Sequence, residues 1–293
     1  MPERTHDQHA LYGQDDFFIS DAAEWVNGIR IQHDDGFGFH PSGSSALRYS
    51  WDTGPARHTL RVSLGTGYRV PSIKERHYAF DHSALGYQVL GNPELDPETS
   101  LALQAGWQRT TPATDLRVQA YMHRLRDLIT TSLSTGESQP GLSIFRYQNI
   151  EHAQVWGLDV TQRWRLAGGY DIEVAWSWLN SRNQETGTPL PQRPRHTLNI
   201  LSSLPLHPFA RLLISGRVQS SQWQDADATV RAGGWTTWDA HLEHDLPHGW
   251  TLRWGARNLT DTQKRYGAEN DSRPEEGRTL FLSLTWHTPN DNH

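Results

Sequence analysis

The chain has 293 residues, 27 Lys and Arg against 33 Asp and Glu (formal net charge −6), 13 Trp, 24 Gly and no Cys. Without Cys there is no disulfide framework, thiolate metal site or cysteine nucleophile, and the mildly acidic balance argues against a general nucleic-acid binder. Only 35% of residues are hydrophobic, yet 13 Trp, 9 Tyr and 8 Phe exclude a disordered chain. The opening stretch from Met1 to Asp7 lacks the basic and apolar regions of a secretory signal. No run approaches the roughly 18 apolar residues of a membrane helix.

Period-two alternation dominates from the N-terminal region onward. Segments at 11–20, 24–33 and 44–52 lead to 58–69, where Leu60, Val62 and Leu64 alternate with Arg61, Ser63 and Gly65. In 98–110, Leu101, Leu103, Ala105 and Trp107 alternate with Ala102, Gln104, Gly106 and Gln108. Segments follow at 114–131, 143–150, 153–166, 170–182, 196–204, 210–223, 234–244, 250–259 and 277–286. Such alternation gives each strand one apolar and one polar face. The pattern predicts about fourteen strands, most of roughly 9–12 residues, the length a tilted strand needs to cross a bilayer.

Short turns such as Asp52-Thr53-Gly54-Pro55 and Ala167-Gly168-Gly169 alternate with longer connections at 70–97, 132–142, 183–194 and 260–276. Short turns at one end and long loops at the other suit an outer-membrane barrel. Trp25, Tyr49, Trp51, Tyr68, Trp164, Tyr170, Trp178, Trp235 and Trp250 sit near strand ends, as an interfacial aromatic girdle requires. The pattern also fits a soluble Trp-rich β-sandwich that binds carbohydrate. No domain linker or low-complexity tract is visible, so 1–293 reads as one unit. Enzymatic motifs are absent: there is no nucleophile elbow, zinc-binding His pair, phosphate loop or dinucleotide fingerprint. The acidic pairs Asp15-Asp16, Asp34-Asp35 and Glu275-Glu276 read as solvated loop charge, so no metal site or cofactor is expected.

Two boxes are specific. Tyr68-Arg69-Val70-Pro71 closes one strand, and Asn92-Pro93-Glu94-Leu95-Asp96-Pro97-Glu98 precedes the next. Pro71 fixes φ and removes a donor at a strand mouth, and Pro93 and Pro97 frame a rigid segment. Gly157-Leu158-Asp159-Val160, Thr188 to His196, Ala256 to Asp261 and Gly277-Arg278 follow. In this order the segments resemble TonB-dependent outer-membrane receptors along nearly the whole chain. The resemblance implies an all-β fold: an antiparallel transmembrane β-barrel, here the C-terminal portion, about fourteen strands of a barrel of about 22. No plug domain is recognised, so TonB and a plug would be partners encoded elsewhere. Outer-membrane lipid and the barrel-assembly machinery are further expected partners, with Trp286 as the C-terminal assembly signal, overrun by residues 287–293.

The implied function is the barrel part of a receptor or transporter for an iron complex. The ligand would be a ferric siderophore, haem or, less directly, cobalamin. A non-transporting remnant of such a receptor is the alternative. Ligand contacts are expected in 69–92. His77, Tyr78 and His82 offer haem-iron ligands, while Arg69, Arg76, Tyr78, Phe80 and Tyr87 offer a basic, aromatic surface to an anionic chelate. The box residues themselves (Tyr68, Arg69, Pro71, Asn92, Pro93, Leu95, Pro97 and Glu98) are also consistent with rim architecture alone.

Overall fold

A computed structural model of the chain describes residues 5–134, 136–263 and 276–287. Glu275 and residues 288–293 lie outside them, as does most of the predicted 260–276 loop. The strands are β1 (Gln8–Ser20), β2 (Ala23–Asp34), β3 (Gly38–Thr53) and β4 (Ala56–Arg69). A short helix α1 (Ile73–His77) and a hairpin of β5 (Ala79–His82) and β6 (Tyr87–Leu90) follow. Then come β7 (Glu98–Thr110), β8 (Thr114–Leu133), β9 (Ser143–Leu166), β10 (Tyr170–Asn183), β11 (His196–His207) and β12 (Ala210–Gln219). A small pair, β13 (Gln222–Trp223) and β14 (Arg231–Ala232), precedes β15 (Trp235–Leu246), β16 (Trp250–Arg257) and β17 (Thr279–Trp286).

Among the described residues, thirteen strands form one antiparallel path, β1-β2-β3-β4-β7-β8-β9-β10-β11-β12-β15-β16-β17. The predicted segments 143–150 and 153–166 are one continuous strand, β9, so the path has thirteen strands where the sequence suggested about fourteen. The polar residues around His152 read as a turn. They stay in the ladder, with Arg126 opposite His152 and Leu128 opposite Ile150, because β8 and β9 extend well beyond a membrane thickness. The segment predicted at 210–223 stops at Gln219, and Gln222–Trp223 pairs separately with β14. With thirteen strands β1 and β17 run the same way, and each is paired on one side only. The sheet is open rather than closed into a barrel.

Register carries the alternation from strand to strand. Trp25, Leu47, Val62, Ala105, Ala120, Leu158 and Trp178 form one row. Glu24, Arg48, Arg61, Gly106, Gln119, Asp159 and Ser177 form the adjacent row on the other face. Large residues of the apolar face stay uncovered: Leu64 is 50%, Leu103 48% and Leu282 74% exposed. A soluble sandwich would bury that face against a second sheet, and none is present among the described residues. An outward apolar face over a polar interior is instead the arrangement of a membrane barrel.

Aromatic rings cluster on the outward face near the short turns. Tyr49, Trp51, His58 and Trp107 stack in series with centroids 5.6, 5.0 and 5.9 Å apart. Trp250 and Trp286 meet at 6.3 Å, and Trp286 Nε1 donates to His248 O at 3.2 Å. Trp235 departs from the predicted girdle. It pairs with Gln219, which faces Thr197 on the polar side, and the Arg217 guanidinium lies 5.3 Å from its ring centroid. Proximity to a strand end does not decide which face a ring occupies; register does.

Candidate ligand-binding mouth

Apart from the short turn between β2 and β3, the connections sort by length to opposite ends of the sheet. Turns at 21–22, 54–55, 111–113, 167–169, 208–209 and 247–249 lie at one end. The turn 35–37 and the longer connections 70–97, 184–195 and 220–234 lie at the other, as do the described residues 136–142, 258–263 and 276–278; in an outer-membrane barrel this is the extracellular end.

The two boxes meet there as one construction. Arg69 makes a bidentate pair with Glu98, Nε to Oε1 at 2.9 Å and Nη2 to Oε2 at 3.1 Å. Its Nη1 donates to both Glu75 oxygens at 2.8 and 2.9 Å. Glu75 also closes the capping box of α1: its backbone N–H donates to Ser72 Oγ at 3.2 Å, and Ser72 N donates to its Oε2 at 2.8 Å. Burial acts against the charged form of Glu75. Hydrogen bonds from the Ser72 backbone, the Arg69 side chain and the Ser72 hydroxyl outweigh it and hold its pKa below the usual carboxylate value.

The second box is fastened by its backbone. Asn92 N donates to Glu75 O at 2.9 Å, and the Arg76 guanidinium reaches Pro93 O at 3.0 and 3.2 Å. Asn149 of β9 accepts from Asp96 N at 2.9 Å and donates to Asp96 O at 3.1 Å and Asp127 O at 2.6 Å. Pro71 and Leu95 are buried, and Glu98 also accepts from Ile129 N at 3.0 Å. Tyr68 stacks on His40 with centroids 3.6 Å apart. The box residues are thus engaged with one another and with β8 and β9.

Between the boxes the predicted loop is ordered. β6 adds to the top of β9 in parallel, Tyr87 opposite Ser143 through Leu90 opposite Arg146. The hairpin carries an aromatic ladder: Tyr78 on Phe80 at 5.6 Å and Phe80 on His82 at 4.0 Å, with His82 edge-on to Tyr87 at 5.4 Å. His82 Nδ1 is 3.0 Å from the Tyr87 hydroxyl. Tyr78, Phe80, His82 and Tyr87 are therefore brought together, whereas Arg69 and Arg76 are largely committed to protein oxygens.

Beside α1 lies an open cleft of about 690 Å³, lined by Lys74, Arg76, His77, Tyr78 and Arg146, with Ile73, Leu90 and Pro93 as apolar walls. No carboxylate lines it. The Lys74 ammonium is 5.1 Å from the Tyr78 ring centroid, and Arg146 is steadied by Glu137 at 2.8 Å. The sequence reading missed Lys74 and Arg146. Lys74 sits one helical turn before Tyr78, a spacing that could have found it; Arg146 arrives from β9, and only the parallel β6–β9 pairing shows it.

The neighbouring loops pack against each other across the mouth. Leu190 joins Leu128, Ile150 and Ala153 in the one buried apolar cluster among the described residues. Gln192, at φ +57, donates its N–H to Trp223 O at 2.6 Å. Asp225 is buried and accepts from the Val230 backbone at 2.8 Å and the Thr229 hydroxyl at 2.6 Å. Among the described residues no group of three His, Cys, Asp or Glu could hold a metal ion.

Comparison with known proteins follows the same outline. The family model described as TonB dependent receptor-like, beta-barrel matches residues 1–259. The iron-regulated outer membrane virulence protein of Vibrio cholerae is 24% identical over 301 aligned positions, which take in 97% of this chain and 45% of that protein. The chain thus spans about half the length of the curated relatives it matches. A ferric enterobactin receptor mutant from Pseudomonas aeruginosa, solved with enterobactin, superposes with a TM-score of 0.74 at 20% identity. The alignment covers 95% of this chain and 45% of that one. The siderophore receptor PirA from Acinetobacter baumannii superposes at 0.75 with 16% identity, covering 95% of this chain and 45% of that one.

Proposed function

Because the chain belongs to the TonB-dependent receptor β-barrel family, a family of outer-membrane receptors rather than enzymes, we propose that its long-loop mouth takes up an anionic ferric siderophore. The observation that carries this reading is the cleft beside α1. Lys74, Arg76 and Arg146 line it with no carboxylate in its wall, although Arg146 is paired outside it with Glu137 and Arg76 donates to Pro93 O, and Tyr78 adds an aromatic wall. A negatively charged, ring-bearing chelate matches such a surface in charge and shape. The names of the relatives, an iron-regulated protein and siderophore receptors, agree with that class. Energised uptake through TonB and a plug, and insertion by the barrel-assembly machinery, belong to the complete receptor in this reading.

A second reading, haem, is favoured by one contact. His82 Nδ1 is held by Tyr87, so Nε2 is the nitrogen left to meet an iron. The two readings separate in one titration. The full chain, folded in detergent, is titrated with a ferric tricatecholate siderophore and with hemin while Trp fluorescence is followed. The siderophore reading predicts saturable binding of the ferric chelate that weakens at least tenfold in Lys74→Glu/Arg76→Glu. It is refuted if the chelate fails to bind or the charge reversal has no effect. Hemin binding that disappears in His82→Ala supports the haem reading instead.

A further inference from the structure

The outward apolar face ends in charge on two strands, β8 and β10, that flank β9. Met122 pairs with Trp156 across β8 and β9; one row higher Arg124 faces Gln154, and one row above that Arg126 faces His152. Gln154 pairs in turn with Arg182 on β10. Arg124, Arg126 and Arg182 thus share the face that carries Leu103, Trp156 and Leu158. All three are exposed, and among the described residues none has a side-chain hydrogen bond or ion pair. They border an open cleft of about 430 Å³ lined by Arg124, Arg126, His152, Gln154, Gln184 and Glu185. Its one carboxylate, Glu185, lies 3.1 Å from His152 Nδ1.

We propose that this patch binds a phosphate-bearing lipid headgroup of the outer leaflet. The height is fixed by the aromatic rings. Trp156 and Trp178 meet at 6.3 Å on the outward face and mark the upper membrane boundary. From Trp156 down to Trp164 the strand covers about 27 Å, or about 20 Å along the membrane normal at a tilt of about 40°, close to the apolar band of a membrane barrel. Arg124 and Arg126 stand about 7 and 13 Å further along the strand, at headgroup level. Guanidinium groups match phosphate oxygens bidentately.

Simple snorkelling of scattered basic residues does not explain the pattern. On β4 and β7 the same outward level holds Thr66 and Leu101, so the charge is confined to β8–β10. Glu185 lies against His152, and Asp127 acts on Arg126 only at longer range, so among the described residues none of the three guanidinium groups is held in an ion pair. The inference is independent of which iron complex the mouth takes.

The test uses the full chain in zwitterionic detergent and native mass spectrometry, with diphosphoryl lipid A as probe and dephosphorylated lipid A as comparison. The patch predicts one retained diphosphoryl lipid per chain. Affinity falls at least tenfold when the phosphates are removed, and at least tenfold in Arg124→Gln/Arg126→Gln. Arg217→Gln, on the polar face, binds like the parent. Retention of the heat-modifiable gel shift shows that each variant is folded, and Arg182→Gln replaces the double variant if that one is not. Equal binding of both lipids, undiminished binding by a folded variant, or full displacement by millimolar inorganic phosphate overturns the proposal.

Discussion

Several single side chains do work that composition cannot reveal. Gly157, in the Gly-Leu-Asp-Val segment, lies under the ring of Tyr121. A Cβ there would stand 2.5 Å from the Tyr121 hydroxyl and 2.7 Å from Trp178 O. Carbonyl and ring cannot both retreat, so Gly157→Ala is expected to destabilise the sheet by about 1–3 kcal/mol, read as a lower urea midpoint in lipid vesicles. Glu75 links α1 to both boxes, and its folded-state pKa lies below the ordinary 4.5. A depressed carboxylate contributes stability that is full above about pH 4.5 and is lost as pH falls through the folded value. Amide exchange at Gly91 and Asn92, corrected for intrinsic rates, should therefore accelerate on acidification below pH 4.5. In Glu75→Gln the acceleration should be absent and the protection low throughout.

Residue types at the boxes were legible because proline and charge act locally. Arg69 and Glu98 pair across β4 and β7, Asn92 N donates to Glu75 O, and Pro71 and Leu95 are buried at the ends of these strands. The arrangement of the candidate contact residues was legible only in part. Tyr78, Phe80, His82 and Tyr87 lie together on one hairpin, but which Arg is committed to backbone or carboxylate oxygens depends on tertiary contacts that no spacing encodes.

At the level of strands, period two located the sheet, since a one-residue slip would exchange its two faces. It failed where strands leave the membrane. Above the lipid, polar and apolar residues no longer alternate by face, so β9 read as two segments and the β5–β6 hairpin read as loop. That hairpin depends on a close backbone approach at Gly91. A Cβ there would lie 2.8 Å from Arg76 C, His77 N and Tyr78 N, all backbone atoms with no side-chain freedom. Gly91→Ala should loosen α1 and the hairpin, weakening ferric-chelate binding at least tenfold in the fluorescence titration. The thermal midpoint of the sheet should stay unchanged, because β4 and β7 pair without it. A variant with intact binding would show that the hairpin does not shape the site.

The low hydrophobic fraction follows from the architecture: one face of each strand meets lipid and the other is polar by construction. On the polar face guanidinium and carboxylate groups answer each other, as in Arg163 with Asp171 at 2.6 Å and Arg48 with Glu24 at 2.7 Å. The extracellular mouth, the girdle and the Arg patch all take their meaning from one assignment, namely that the apolar face of this sheet lies against lipid. The absence of Cys makes that assignment measurable, because a single introduced Cys carries the only label. Spin labels placed one at a time along 58–68 in vesicle-inserted chain would report collision with membrane-dissolved oxygen and with an aqueous nickel chelate. The account predicts strict alternation, with oxygen access high at positions 60, 62 and 64 and nickel access high at 61 and 63. Uniform nickel access along the strand, or alternation in the opposite phase, would contradict it.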